Sequence, residues 1–594
     1  MKSSNKKEIT GKRGKYTFKR ILKYVFILLF VLLILNVAPS FFYRAENNTN
    51  PLPTQYRKGV YHMHSVFSDG KGTVDEITRA AAELGLDFVI LTDHGRPNIQ
   101  SATSTSWLNQ VLLIGGSELS LNCGHLAAMG FAVPDYIFPP EPQEAIDEIV
   151  NDNENGVCFV SHPFDDKVPW TDWDISRYTG LEILSSYTQA RRAGILKILI
   201  FPLKYLVNSK YALLNTMSYP RLNIKKWDSV NESGKYYGIY ALDAHAKLPI
   251  SKKIRLNFPT YKSMFEIMTI YTKLGQSPGT DAQHAAATII ASLKKGNFFN
   301  VIEAIASANG FEAFFVETDS GEQIEMGGIS RSARGKLSIH LPFDFKTDVL
   351  IIKDGTAILE KTGIEEKQVE FAIDTPGVYR IEVYVPGNRF DRLPWIMTNP
   401  FFLGVERNTS LPRLSAAKGE KEEEKGDRQK KPDQMKKTFP IALMDFKIEK
   451  NSRSQGTISE EVLEDNEKIL RFTFNLEKES PVDKDFWSAL AFRKPLNFSG
   501  NSGFVFEVRA DKRLRAWLEF RTVNNGNETW LRHSFLADTT WRKVVIPVEK
   551  FHVYYGTKNA PNLANISALF FAINNAIAYP GAEGEIFLKN FRVY

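Results

Sequence analysis

The chain has 594 residues, too many for one hydrophobic core, and its composition, 43% hydrophobic and 24% charged, excludes global disorder and a fibrous repeat. A net charge of +7 suggests a nucleic-acid surface, but residues 1–23 carry nine Lys or Arg against the single acid Glu8, which leaves the rest of the chain at −1 and excludes that class. The two cysteines, Cys123 and Cys158, are too few for a disulfide framework and read as free structural residues.

Taken in chain order, a basic tail over residues 1–23 precedes an apolar run, Tyr24–Tyr43, with no charge until Arg44. About twenty such residues cross a bilayer core. The lysines and arginines before the run place the N-terminus in the cytoplasm and the rest of the chain outside it. A cleaved signal peptide is the rival reading, with small residues at Ala38 and Ser40. Pro39 between them and the long basic tail favour a single-pass anchor.

After a polar spacer over 44–55, strands alternate with helices. Lys58–His64 reads as a strand. Thr73-Val74-Asp75-Glu76 is a capping box, opening a helix that Gly85 stops. Leu86–Thr92, Val111–Gly115, Val157–Val160, Leu181–Leu184 and Gly238–Leu242 read as further strands, and Gln143–Val150 and 283–295 as helices. This rhythm predicts parallel strands with helical crossovers, in one α/β domain over 56–310. Short strands without helices then predict a small antiparallel β domain over 311–405. A charged linker follows over 406–438, including the tract Ala416–Lys437, which has too few apolar residues to bury a core. A second β region spans 439–594.

Six of the ten histidines sit at predicted strand ends or just after them: His62, His64, His94, His125, His162 and His245. Asp69, Asp93, Glu118 and Asp243 accompany them. Side chains two apart on a strand share a face, so His62 and His64 point together, as do Asp243 and His245. Asp93 and His94 are neighbours, which makes His94 the better metal ligand and Asp93 its orienter. His284, His340, His533 and His552 read as ordinary surface or core residues.

His62-Met63-His64-Ser65 with Ser68-Asp69-Gly70, Thr92-Asp93-His94, Gly116-Ser117-Glu118 with Gly124-His125, Ser161-His162-Pro163 and Leu242-Asp243-Ala244-His245 together resemble the ordered motifs of the PHP (polymerase and histidinol phosphatase) domain. Gly296–Phe311 and Leu393-Pro394-Trp395-Ile396-Met397-Thr398-Asn399-Pro400 resemble the carbaryl-hydrolase-like branch. One departure is Ala241-Leu242 before Asp243, where that family usually has glycine and a small residue. The resemblance implies a distorted (β/α)7 barrel with two or three divalent ions (Zn, Mn or Fe). His62, His64, Glu118 and Asp243 would hold the first. Glu118, His125 and His162 would hold the second, and Asp69, His94 and His245 the third. Such a site implies hydrolysis of a phosphomonoester or phosphodiester by a hydroxide bridging the ions, with Arg96 steadying a phosphate oxygen. Ester, carbamate or amide hydrolysis, or surface binding without catalysis, are the rival functions.

Residues 194–217 interrupt those motifs with an apolar, basic stretch. It reads as a lid helix; its rival role is a seat in the bilayer interface that admits a lipid-linked substrate. Residues 439–594 resemble the jelly-roll, galactose-binding-like sandwiches of carbohydrate-binding modules. Trp487, Trp517, Trp530 and Trp541 are candidate platforms for a glycan, although core packing competes for them.

Overall fold

The structure, a computed structural model, describes residues 4–150, 156–249, 255–256, 258–275, 278–390, 392–405, 439–462, 467–478, 486–524, 526–556 and 563–594. The chain divides into two units. One is Met1–Ala132 with Ile149–Arg413, and the other is Val133–Glu148 with Leu414–Tyr594. The linker expected over 406–438 lies outside the described residues.

Continuous apolar strands need cover on both faces, and in the first unit they form a ring. β1 (Tyr56–Tyr61), β2 (Phe88–Leu91) and β3 (Val111–Leu121) are parallel neighbours. β3 turns through Asn122-Cys123 into β4 (Gly124–Met129), and β5 (Val157–Val160) pairs with β4; both pairings are antiparallel. β6 (Gly180–Ser185) and β7 (Tyr237–Ala241) then run parallel to their predecessors. The Leu242 amide donates to the Tyr61 carbonyl at 3.1 Å, and Met63 bridges Ala244, so β7 closes onto β1. Uniform parallel order therefore fails at β4, a strand the sequence reading omitted. A two-residue turn is too short to carry a crossover helix, so only an antiparallel return is open to it.

α1 (Ser4–Phe42) includes Leu22–Phe42, long and apolar enough to cross a membrane. α2 (Val74–Ala82) carries the expected capping box, the Thr73 amide donating to the Glu76 carboxylate at 2.8 Å. Cys123 and Cys158 are buried and free.

The expected boundary at 310 does not divide the sheet. β8 (Thr269–Lys273) pairs with β1, and β9 (Phe298–Val301) with β8. β10 (Thr347–Lys353), β11 (Gly377–Tyr384) and β12 (Ile396–Thr398) join through β9–β12, β12–β11 and β11–β10. Only Glu312–Glu317, Gln323–Ile324, Gly335–His340 and Gln368–Ile373 form a separate four-stranded sheet.

Two asparagines explain this continuity. One edge of β7 meets side chains in place of a strand. Asn300 accepts from the Tyr240 amide at 2.8 Å and donates to the Gly238 carbonyl at 3.0 Å. Asn399 accepts from the Gly238 amide at 2.8 Å and donates to the Phe298 carbonyl at 3.1 Å. An amide side chain offers one acceptor and two donors, and so imitates a peptide unit. The segment from Leu393 to Pro400 is thus part of the barrel wall.

The spacer is pinned as well. The Tyr43 hydroxyl donates to Ala304 O at 2.8 Å, Glu46 bridges Ala306, and Asn48 Nδ2 reaches Ser307 O at 2.8 Å.

In the second unit two six-stranded antiparallel sheets enclose a phenylalanine-rich core that includes Phe472, Phe504, Phe520 and Phe571. The inserted segment Val133–Glu148 belongs to this unit and buries Tyr136, Phe138 and Ile146. It ends within α3 (Pro142–Val150).

Asn399→Ala leaves the buried Gly238 amide without an acceptor, and the expected cost is about 1–3 kcal/mol. Urea denaturation checks this; an unchanged midpoint would remove the seam from the account.

Candidate metal centre

The residues singled out in the sequence arrive at one rim from six strands, and the turns that deliver them are strained. His62, His162 and Asp243 have φ of 65°, 27° and 52°, where side chains other than glycine are uncommon. β1 ends at Tyr61, so strand alternation is not what brings His62 and His64 together. The left-handed turn at His62 does so, and their Nε2 atoms lie 3.2 Å apart.

Glu118 is the hub. Its Oε2 lies 3.4 Å from His62 Nε2, 3.3 Å from His64 Nε2 and 3.1 Å from His94 Nδ1. Its Oε1 lies 3.2 Å from His125 Nδ1 and 3.1 Å from His162 Nε2. Asp243 Oδ1 adds a second acid, 3.6 Å from His62 Nε2 and 3.3 Å from His64 Nε2. On the outer side, Asp69 Oδ1 lies 3.1 Å from His245 Nε2, 3.7 Å from His94 Nε2 and 3.9 Å from His64 Nδ1. All nine ligand candidates therefore meet in three overlapping groups.

The two other candidates stand differently. Asp93 does not orient an imidazole. Its carboxylate accepts from the Ser65 amide at 2.8 Å, the Ser65 hydroxyl at 2.7 Å and the Ser68 hydroxyl at 2.5 Å. It braces the loop that carries Asp69, because its own side chain faces away from the rim that His94 faces. Arg96 is half-buried on the loop after His94.

The imidazole orienter is Glu182, which the sequence reading missed. His62 Nδ1 lies 2.5 Å from its Oε1, and the His162 amide donates to its Oε2 at 2.7 Å. The signal was a lone acid inside the apolar strand Gly180–Ser185. Lys247 Nζ, 3.1 Å from Asp69 Oδ2, and Tyr187, whose ring lies 5.2 Å from that of His245, also escaped notice.

The electrostatics follow from this crowding. Burial alone would lower the His62 pKa, but Glu182, Glu118 and Asp243 outweigh it and hold it well above the ordinary imidazole value. Burial also opposes His162, yet Glu118 carries it up to about 9. His64 falls to about 4, through burial and then the neighbouring His245. Despite burial, Glu118 and Asp243 are held well below the usual carboxylate range by the imidazoles around them.

A metal ion fits this donor set. His64 Nδ1, Asp69 Oδ1, His94 Nδ1, Glu118 Oε2, His125 Nδ1 and His162 Nδ1 are buried without a hydrogen-bond partner, and a buried polar atom is costly unless something satisfies it. Mixed imidazole and carboxylate donors suit Zn, Mn or Fe.

Residues 61–200 match the PHP domain family. No curated protein matches the chain. One similar solved structure is a two-domain protein from Bacteroides vulgatus containing a predicted PHP-like metal-dependent phosphoesterase. It has 15% identity and a TM-score of 0.30, over 61% of this chain and 99% of that one. Another is the family 11 carbohydrate-binding module of a cellulosomal cellulase from Clostridium thermocellum, with 11% identity and a TM-score of 0.21, over 26% of this chain and 88% of that one.

Glu182→Gln keeps the shape of the orienter and removes its charge. Metal affinity in a chelator competition is expected to fall by about 10–100-fold. Affinity of the intact protein is also expected to fall from pH 7 to pH 5, because His62 and His162, whose pKa values are raised, must shed their protons to bind an ion, while His64 is already neutral there.

Proposed function

We propose that the chain is a membrane-anchored, extracytoplasmic phosphoesterase that hydrolyses a phosphomonoester or phosphodiester. The observation that carries this is Glu118, a single buried carboxylate joining His62, His64 and His94 on one oxygen to His125 and His162 on the other. With a separate set of imidazoles facing each oxygen, Glu118 and those histidines would hold bound divalent ions. Bound ions would activate water and neutralise charge on a phosphoryl oxygen. The protein's own part is to aim and to brace. Glu182 fixes the His62 ring, Asp93 holds the Ser65–Ser68 loop, and Lys247 restrains Asp69. Arg96 steadies an anionic oxygen of the substrate from the loop beyond His94.

The anchor reading rests on the apolar span Leu22–Phe42 and the basic residues before it. Glycan contact in the second unit rests on one edge, where Tyr555 is exposed and its ring lies 4.7 Å from that of Trp530. Trp517 is withdrawn from that role, because it is 1% exposed and donates to Asn574 at 3.0 Å.

Full-length protein reconstituted with Mn or Zn should hydrolyse bis-p-nitrophenyl phosphate in preference to naphthyl carbamate. Glu118→Gln should lower that rate by about 100-fold. Preference for the carbamate would move the chemistry to ester or amide substrates. No turnover of either, with ions bound, would leave a binding protein.

A further inference from the structure

After α4 (Ser186–Arg192), α5 (Ile195–Val207) and α6 (Ser209–Leu214) fill the stretch that interrupts the barrel motifs. A surface helix of a water-soluble protein turns its apolar stripe inward and its charges outward. α5 is the reverse. Ile195, Leu196, Leu199 and Leu206 are 78%, 63%, 69% and 83% exposed, while Lys204 is buried and lies over the Tyr211 ring. A lid packed on the barrel by its leucines, the preferred sequence reading, does not have this arrangement.

What covers that face follows from its neighbour. α5 touches α1, the apolar helix whose last turns also expose Phe41 and Phe42. Side chains fasten the junction. Asn208 Nδ2, at the end of α5, donates to Tyr43 O at 3.1 Å, and the Tyr43 ring packs on Tyr211 and Phe390 at 5.6 and 5.3 Å. An open cleft beside α5 is lined by seven Arg or Lys, among them Arg192, Lys197, Arg221 and Arg389, against four acids, Asp228, Glu232, Asp354 and Glu382, and this net positive charge suits anionic headgroups.

We infer that the outer face of α5 is seated in the lipid bilayer beside the anchor, holding the metal rim at the membrane surface. This rests on α1 being a membrane anchor. The inner face of α5 leads back to the rim. Tyr205 donates to Ser263 Oγ at 2.5 Å on α7 (Tyr261–Phe265), and the Tyr261 hydroxyl donates to the His64 carbonyl at 2.7 Å. A phosphoester presented by a lipid-linked substrate therefore meets the metal centre without leaving the membrane surface.

The test uses the full chain in vesicles of neutral and anionic phospholipid, with nitroxide labels introduced by Leu199→Cys, Leu206→Cys, Leu28→Cys or Glu322→Cys. The native cysteines are buried and the positions chosen on α5, α1 and the barrel unit are exposed. Labels at 199 and 206 should collide with oxygen several-fold more than with a water-soluble nickel chelate, as at 28, with 322 as the aqueous reference. A chelate-dominated signal at 199 and 206, with 28 in lipid, overturns the seat and leaves the anchor standing. A chelate-dominated signal at 28 overturns the anchor itself. Low accessibility to both probes at 199 and 206 means that protein covers α5, and also overturns the seat.

A second, independent cluster lies within the second unit. Glu144, from the inserted segment, faces His533 on the strand Asn527–Ala537 and His552 on the paired strand His552–Tyr555. Its Oε1 is 2.8 Å from His533 Nδ1 and 3.7 Å from His552 Nε2. The other oxygen is held by the Ser534 hydroxyl and lies near Arg515, whereas Oε1 and His533 Nδ1 are buried with no hydrogen-bond partner. Glu144 is 7% exposed. The geometry points to a transition-metal site here, with a His2Glu set that suits zinc and leaves an open position. Both histidines were expected to be ordinary residues of the β region.

Zinc per full-length chain, measured by elemental analysis after equilibrium dialysis, should fall by one equivalent in His533→Ala/His552→Ala and in Glu144→Gln. Phosphoesterase activity and metal bound at the barrel should stay unchanged. Equal zinc content in the wild type and in a folded Glu144→Gln protein would make the cluster a plain carboxylate–imidazole ion pair.

Discussion

Five imidazole nitrogens lie within 3.1–3.4 Å of the two oxygens of Glu118. That side chain has no access to water, so its charge must be met inside the protein. The imidazoles can meet it only with protons or with shared cations, and they crowd one another as well as the acid. His62 and His64 point nitrogens at each other, so at most one of the pair can donate. The left-handed turns at His62, His162 and Asp243 are the backbone's part of the same constraint. An arrangement this costly persists when the surroundings over-determine it, here a closed ring of strands with its last gap filled by asparagine side chains.

Much of the metal centre was legible because its residue types are rare and its spacing is ordered. Glu118 announced itself beside a Gly-Ser turn, and His62 and His64 as a pair. The geometric reason offered for that pair was wrong in detail, since β1 ends before it. Glu182 was hidden by its surroundings: in an apolar strand a single acid is easily passed over, although its burial is what should have drawn notice. Asp93 shows the opposite error. Its place beside His94 suggested a ring partner, but neighbouring residues on an extended chain face apart, and its carboxylate turned to Ser65 and Ser68.

The fold was legible wherever local rules acted alone. The Thr73 capping box and the Gly85 stop needed no tertiary information. β4 was missed because its short run, Gly124–Met129, holds a candidate-ligand histidine and small residues in place of a branched apolar pattern. The division at 310 failed for a different reason. Strand pairing between β9 and β12 joins residues about a hundred positions apart, and nothing in the local sequence reports such a pairing.

The second unit is assembled from two separate stretches of chain. Cutting at the charged tract would not release it whole. The barrel half would keep an orphaned loop and helical turn carrying Tyr136, Phe138 and Ile146, and the sandwich half would lose Glu144 and Glu148, the acid partners of Arg515. A duplication or swap of this unit must therefore carry residues 149–413 along with it.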